Sequence, residues 1–297
     1  MPKVLVLGAI NQDEVARVSR HPLPGETVVA TGVATSPGGK GANQAAAAAA
    51  SGVEVQLIGA VGDDRAGSHQ LEALSQAGVD VSMVRRVMET ATGRAFICVS
   101  DAGENSIVVM LGANAFVSPA TLHGAATPDV VVGQTEVGAV PVEALGGFAA
   151  ECGARLVINN APVVPLSPRL LAAADPLIVN RHEAADMLRP DDAATADELD
   201  LVARLRRSTG ARSVIVTLGA DGCVIADAAD VRRLPAVEAD EVVDTTGAGD
   251  AFVGVLAASL ARGRSLDASA IEASTAASAV VARHGARAVP GTMALTD

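Results

Sequence analysis

Tryptophan and tyrosine are absent from this 297-residue chain, and phenylalanine occurs only at Phe96, Phe116, Phe148 and Phe252. Without aromatic faces for bases to stack on, single-stranded nucleic-acid binding is nearly excluded. Positive charge is also short: 22 Lys and Arg stand against 34 Asp and Glu, a formal net charge of −12. Such a chain repels phosphate backbones at long range. An anionic nucleotide would have to be held by local devices: helix N-termini, backbone amides and one or two placed cations. Cys98, Cys152 and Cys223 lie far apart with no C-x-x-C pair, so no disulfide framework or zinc site is readable, and a reducing compartment suits them. No stretch reaches the roughly 18 continuous apolar residues of a membrane span. The start, Met1 to Gly8, lacks the basic, apolar and cleavage regions of a leader. A soluble cytoplasmic protein is expected.

What is present is a large apolar fraction, 49%, much of it alanine, which predicts a sizeable core with closely packed helices. Short apolar runs at Val4–Leu7, Val55–Val61, Val130–Val132, Leu156–Ile158, Leu177–Val179 and Val214–Val216 alternate with helical stretches. That alternation predicts an α/β fold, a mostly parallel sheet covered on both faces. Two segments fit the sheet poorly. One, near 12–37, contains a strand expected at Val28–Val33. The other, near 94–112, reads as a hairpin of Ala95–Val99 and Ser106–Met110 around an Asp-x-Gly turn. The expected organisation is a single domain, 1–297, with these segments forming an inserted β lid. A helix is expected from Ala42 to Ser51, and two more, Ala251–Arg262 and Asp267–Arg283, at the end.

The strongest chemical signal is Asp244-Thr-Thr-Gly-Ala-Gly-Asp250, followed by an apolar helix. A Gly-x-Gly turn entering a helix aims backbone N–H groups outward at the positive end of the dipole, which suits an anion or a phosphoryl group in flight. A carboxylate beside an anion site is odd for binding alone. It makes sense if Asp250 takes the proton of a hydroxyl attacking phosphorus. Read in isolation, Asp250 also fits a simple helix N-cap. Pro37-Gly-Gly-Lys-Gly-Ala-Asn-Gln44 is a second glycine-rich entry to a helix, with Lys40 and Asn43 as polar contacts. It is not a Walker A loop, and it also fits an ordinary helix start. Asn11 and Asp13, two apart after the first strand, share a face on extended backbone and suit sugar hydroxyls; an Asx turn is the plainer alternative.

Asn180 and Glu183, after the strand at Leu177–Val179, fit either water-mediated Mg²⁺ binding or a capping box. Thr217-Leu-Gly-Ala-Asp-Gly222 is a strand end and glycine loop that fits a nucleotide wall or a plain turn. A dinucleotide-binding dehydrogenase needs Gly-x-Gly-x-x-Gly after the first strand, and Gly8 to Asp13 does not supply it.

Together, in this order and across about Val4 to Pro290, these segments resemble the PfkB (ribokinase-like) carbohydrate kinase family. Gly38 to Gln44 resembles its N-terminal signature and Asp244 to Asp250 its C-terminal one. The wording of Gly8–Asp13, Pro24–Thr27, Gly112–Asn114 and Asn160–Pro162 is similar to that of ribokinases.

The resemblance implies a Rossmann-like three-layer α/β/α sandwich with a β lid that pairs two subunits. It implies an ATP-dependent phosphotransferase acting on the primary hydroxyl of a pentose, with D-ribose as the first choice. Deoxyribose, arabinose, fructose, a nucleoside, or a non-catalytic sugar-binding role stand as alternatives. It places Asn11, Asp13, Gly39, Lys40, Asn43, Glu136 and Asp250 at the sugar, with Asp250 as base and Gly247, Ala248 and Gly249 as the anion hole. Asn180, Thr217, Gly219, Gly222 and Gly249 fall at ATP, and Glu183 at Mg²⁺ through water. Asp244, Thr246, Arg283 and Gly285 match parts of a K⁺ site. The tail around Gly285–Pro290 departs from the family pattern by lacking a serine, and Asn160 stands where proline is usual.

Overall fold

The computed structural model describes residues 1–188, 197–239, 241–282 and 285. Alternate side chains of the first strand, β1 (Lys3–Leu7), point to opposite faces, and helices cover both. Val4 and Val6 join one hydrophobic cluster with Ala42, Ala45 and Leu256. Leu5 and Leu7 join a second with Val142 and Leu145. Each such fully buried side chain contributes roughly 1.5–3 kcal/mol. Two cores on either side of one sheet make the three-layer sandwich expected from the alternating pattern.

β1 lies between β4 (Glu54–Gly62) and β9 (Val130–Gln134), parallel to both. Beyond β9 follow β10 (Arg155–Asn159), β11 (Leu177–Asn180) and β12 (Val214–Thr217), all parallel, then β13 (Cys223–Ala226) and β14 (Val231–Leu234), antiparallel. On the other side the short β5 (Val79–Asp80) and β6 (Val84–Val87) pair with β4. The chain thus builds away from β1 on one side and returns to build on the other. In open α/β sheets the crevice at such a reversal, beyond the carboxyl ends of the strands, is where ligands bind.

A second sheet of four strands stands apart, in the order β3 (Gly32–Gly38), β2 (Asn11–Val18), β7 (Gly93–Ser100) and β8 (Asn105–Met110). Both expected lid segments contribute to it. The strand expected at Val28–Val33 is displaced: backbone pairing begins at Gly32 and runs through Pro37 to Gly38. Proline is tolerated there because β3 is an edge strand.

The helix expected from Ala42 starts at Lys40, with Gly39 as its N-cap. The closing helices are Ala248–Ala261 and Leu266–Val281. Arg283, the acidic Asp191–Asp192 stretch and the tail from 286 to 290 lie outside the described residues.

Helices Lys40–Ala50 and Ala248–Ala261 pack on the same face of the main sheet. Their close approach depends on Gly254, where a Cβ would fall 2.3 Å from the Gln44 carbonyl oxygen and 2.8 Å from the Ala47 Cβ. That contact brings the two glycine-led helix entries side by side. Cys223 is buried, and burial, with Asp267 adding to it, pushes its thiol up to about 11. This is the setting of an inert core cysteine. No helix among the described residues is long and apolar enough to cross a membrane.

Candidate active site

Chain segments that the sequence separates by more than two hundred residues meet beyond the carboxyl end of β1. Gly8 to Ile10 leave the sheet and lead into β2, where Asn11 and Asp13 are both buried on one face. Gly39 brings the chain back. It takes φ +89°, and a Cβ there would lie 2.6 Å from both the Ala9 carbonyl oxygen and the Asn11 nitrogen, so only glycine lets the two backbones touch. The Lys40 N–H, first of the helix, donates to Glu136 Oε2 at 2.8 Å. Glu136 follows β9 in a short 3-10 turn (Thr135–Val137), and its other oxygen accepts the Asn11 Nδ2 at 3.2 Å. The Asn11 amide is held from behind by Asn114, whose Nδ2 donates to Asn11 Oδ1 at 2.8 Å while Asn114 Oδ1 accepts the Ile10 N–H at 3.0 Å.

Asp250 settles the choice between cap and non-cap. The N-cap of helix Ala248–Ala261 is Gly247, in the left-handed region, and no side chain caps it. Asp250 lies three residues further in, buried. Its Oδ2 accepts Asn43 Nδ2 at 2.9 Å and its Oδ1 accepts Gln44 Nε2 at 3.0 Å. Around it the N–H groups of Gly247, Gly249 and Asp250 find no acceptor among the described residues. The Ala248 N–H, expected in the anion hole, instead closes a turn onto the Thr245 oxygen at 3.3 Å. The space where a Gly249 side chain would stand is open to 4 Å. A carboxylate and a set of unspent amides at the positive end of one helix therefore share a mouth.

Electrostatics tie these groups together through Lys40. Its ammonium pKa is raised, first by Asp250, against the opposing effect of burial, then by Glu136, Glu183 and Asp13. Four carboxylates from four elements thus converge on one cation. Glu136 is raised, chiefly by burial and further by Asp250, against the pull of the Lys40 N–H and charge and of Asn11. Burial also raises Glu183, against an N–H bond from Asn180 and the charge of Lys40, while Asp186 and Asp250 repel it.

Asn180 and Glu183 form the capping box that their spacing allowed: Asn180 Oδ1 accepts the Glu183 N–H at 2.9 Å and Glu183 Oε2 accepts the Asn180 N–H at 2.7 Å. The capping role does not remove Glu183 from the site, because its charge still reaches Lys40 and Asp250. Thr217 ends β12, and Gly219 is exposed in the turn that follows. Gly222 is buried against the backbone of Leu234 to Ala236, a packing reason for glycine that needs no ligand.

Asp244 Oδ1 accepts the Thr246 N–H at 2.9 Å and its Oδ2 accepts the Gly285 N–H at 3.1 Å. Three of the four residues matched to a monovalent-cation site are thereby brought together; Arg283 lies outside the described residues.

Sequence reasoning did not assign Gln44, Gln134, Asn159 or Asn114. Gln44 stands inside a quoted motif and Asn114 ends another, but nothing in their spacing tells a network amide from any other. A cavity of about 210 Å³ at the opposite, amino ends of the strands is lined by Lys3, Glu54, Gln56 and Asp80. Its polar groups are already paired, Lys3 with Glu54 and Gln56 with Asp80.

Known proteins resemble this chain along nearly its whole length. Residues 1–292 match the model of the pfkB family carbohydrate kinases. A curated ribokinase of Schizosaccharomyces pombe is 36% identical over 298 residues, spanning 96% of this chain and 94% of the relative. A crystal structure of ribokinase from Cryptococcus neoformans var. grubii serotype A in complex with ADP superimposes with a TM-score of 0.78 at 32% identity, covering 96% of each chain. That of Arabidopsis thaliana ribokinase complexed with ribose and ATP gives 0.82 at 29% identity, covering 96% of this chain and 94% of the other.

Proposed function

The chain belongs to the pfkB family of carbohydrate kinases, and on that premise we propose that it transfers the γ-phosphoryl group of ATP to the primary hydroxyl of D-ribose. The products are ribose 5-phosphate and ADP. The observation that carries the reading is the buried Asp250 carboxylate beside unspent N–H groups at the start of helix Ala248–Ala261. The sugar lies between that carboxylate and the lid, held by Asn11, Asp13, Asn43, Glu136 and the Lys40 side chain.

As ribose O5 attacks phosphorus, its proton passes to Asp250, the new O5–P bond forms, and the bond between phosphorus and the β,γ-bridging oxygen breaks to leave ADP. The amides of Gly247, Gly249 and Asp250 face the charge on the moving group. Thr217 and Gly219 border the nucleotide. Glu183 fits water-mediated Mg²⁺: one oxygen is held by Asn180, and the carboxylates outnumber the cation Lys40. Bound Mg²⁺ would neutralise phosphate charge. Asp244, Thr246 and Gly285 would hold K⁺.

Ribose is preferred over a nucleoside for a physical reason. Phe148 and Phe252 pack into the core, and Phe96 sits in register with Glu14, on the lid face opposite Asp13, which leaves Phe116, exposed in the turn after β8, as the one aromatic free to meet a base. An ADP-release screen over pentoses, hexoses and nucleosides, with and without K⁺, tests the reading. The expected result is a kcat/KM for ribose at least about tenfold above that of 2-deoxyribose or arabinose, since a site built to bond a hydroxyl discriminates against its loss in the first and its inversion in the second, with turnover raised by K⁺. Sugar binding without ADP release would establish the non-catalytic alternative instead.

A homodimer through the lid belongs to the same proposal. Every residue of β8, an edge strand of the lid, is exposed, and Ile107, Val108 and Val109 leave an apolar, unpaired edge open to solvent, with Phe96 exposed on the neighbouring β7. Such an edge invites pairing unless it is covered, and a second copy of the lid would cover it. Sedimentation should find a dimer in the native chain and a shift to monomer in Val108→Lys, with the far-ultraviolet dichroism unchanged. A native chain that stays monomeric at tens of micromolar would end this part of the reading.

A further inference from the structure

Behind Asp250 lies a chain of buried amides that the reaction described above does not use. Gln44 is fully buried, as is Gln134 at the end of β9, and Asn159 at the end of β10 is 7% exposed. Gln134 Nε2 donates to Gln44 Oε1 at 2.7 Å. Gln44 Nε2 donates both to Asp250 Oδ1 at 3.0 Å and to Asn159 Oδ1 at 3.1 Å. Asn159 Nδ2 donates to the Ile178 carbonyl oxygen at 3.1 Å.

The sense of this chain is fixed at both ends. A backbone carbonyl can only accept, so Asn159 must turn its NH₂ to Ile178 and its oxygen to Gln44. An ionised carboxylate can only accept, so Gln44 must turn its NH₂ to Asp250, which leaves its oxygen for Gln134. Gln134 Oε1 has no partner, so the orientation of that amide answers to Gln44 rather than to its own satisfaction. Apolar side chains of like shape would fill the same volume with no polar group to satisfy. The one member of the network with a chemical task is Asp250.

We propose that Gln44 is a positioning residue for Asp250: clamped by Gln134 and Asn159, it pins Oδ1 and so fixes the carboxylate plane, presenting Oδ2 on the Asn43 side to the sugar hydroxyl. The inference rests on the reading of Asp250 as base. Gln44 does not touch the sugar. Its removal therefore acts on the chemical step and not on binding, as loss of a precise approach geometry does.

The test is Gln44→Glu, which keeps the shape and turns one NH₂ into oxygen. Ionised, the new carboxylate faces two acceptors, Asp250 Oδ1 and Asn159 Oδ1. Protonated, it shares one hydrogen with Asp250, and the pair titrates together. Lys40, Glu136 and Glu183 also face Asp250 and are unchanged by the substitution. Expected at pH 7 is a fall in kcat of about tenfold to a hundredfold, with ribose and ATP KM within about threefold. The acid limb of the kcat profile should move up by about one pH unit or more.

Gln134→Met, which frees Gln44 without reaching Asp250, should lower kcat by a smaller factor at unchanged KM, and it carries the test if the first variant does not fold. Asp250→Asn is measured beside them. If it turns over normally, the base assignment itself is wrong. If it is silent while both glutamine variants keep native kcat and pH profile, the positioning role alone is overturned. A rise in ribose KM with kcat unchanged overturns it too, since that would make Gln44 a binding residue.

Discussion

Asp250→Asn is expected to lower kcat by about a hundredfold or more while ATP affinity stays within about threefold. The substitution is close to isosteric, but it removes the group that can take a proton. It also places an amide NH₂ against one of two donors, Asn43 Nδ2 at 2.9 Å or Gln44 Nε2 at 3.0 Å. Loss of a helix cap cannot produce the same result, because Gly247 is the N-cap and Asp250 makes no capping bond. What the helix itself loses is a negative charge near its positive end, typically about 0.3–1 kcal/mol, so a thermal melt should move little. In the proposed reaction the nucleotide meets the N–H groups of Gly247 and Gly249, which the substitution leaves in place. Steady-state ADP release together with calorimetric ATP binding separates the two effects. Turnover near that of the native enzyme would remove Asp250 from the chemistry.

How much of this was legible beforehand depended on what kind of signal each feature left. The parallel strands were readable because burial on both faces demands continuous apolar runs, as at Val4–Leu7 and Val130–Val132. The hairpin of β7 and β8 was readable from its β-prone runs and turn. β3 was not: Gly32 to Gly38 is a largely exposed edge strand with little apolar content, held by pairing to β2 rather than by burial. β6, with Arg85 and Arg86 at its centre, hid for the same reason.

In the site, the glycine-led helix entries declared themselves, because backbone approach and free amides leave a compositional mark. Glu136 entered only through family resemblance, since a lone acid after a strand says nothing about the helix 96 residues away whose first N–H it accepts. The amides Gln44, Gln134, Asn159 and Asn114 carry their meaning wholly in tertiary distance. Gln44 and Asp250 are 206 residues apart and meet only because Gly254 lets two helices touch.

Lys40→Met should be the other severe lesion, with kcat/KM for the sugar down by about a hundredfold or more and a pH profile that identifies the cause. In the native chain the Lys40 pKa is raised above its ordinary value, first by Asp250 and then by Glu136, Glu183 and Asp13, with burial opposing. A lysine whose folded pKa exceeds its unfolded value of about 10.4 contributes its full stabilisation below that pH and loses it only as pH climbs through the higher folded value. Lys40 therefore stays charged across the working range, and no alkaline limb between pH 7 and 9 belongs to it.

Replacement by methionine removes the cation that offset the repulsion of Glu136 and Glu183 by Asp250. Glu136 and Glu183, already raised by burial, both lose the charge that held them down. The acid limb of kcat/KM must move to higher pH, so that part of the lost rate returns between pH 7 and 9. Lys40→Arg keeps the charge and should keep the limb where it is, whatever its bulk does to sugar KM. A Lys40→Met enzyme with a slowed but unshifted profile would mean that the ammonium serves the sugar alone and does not hold the carboxylates ionised.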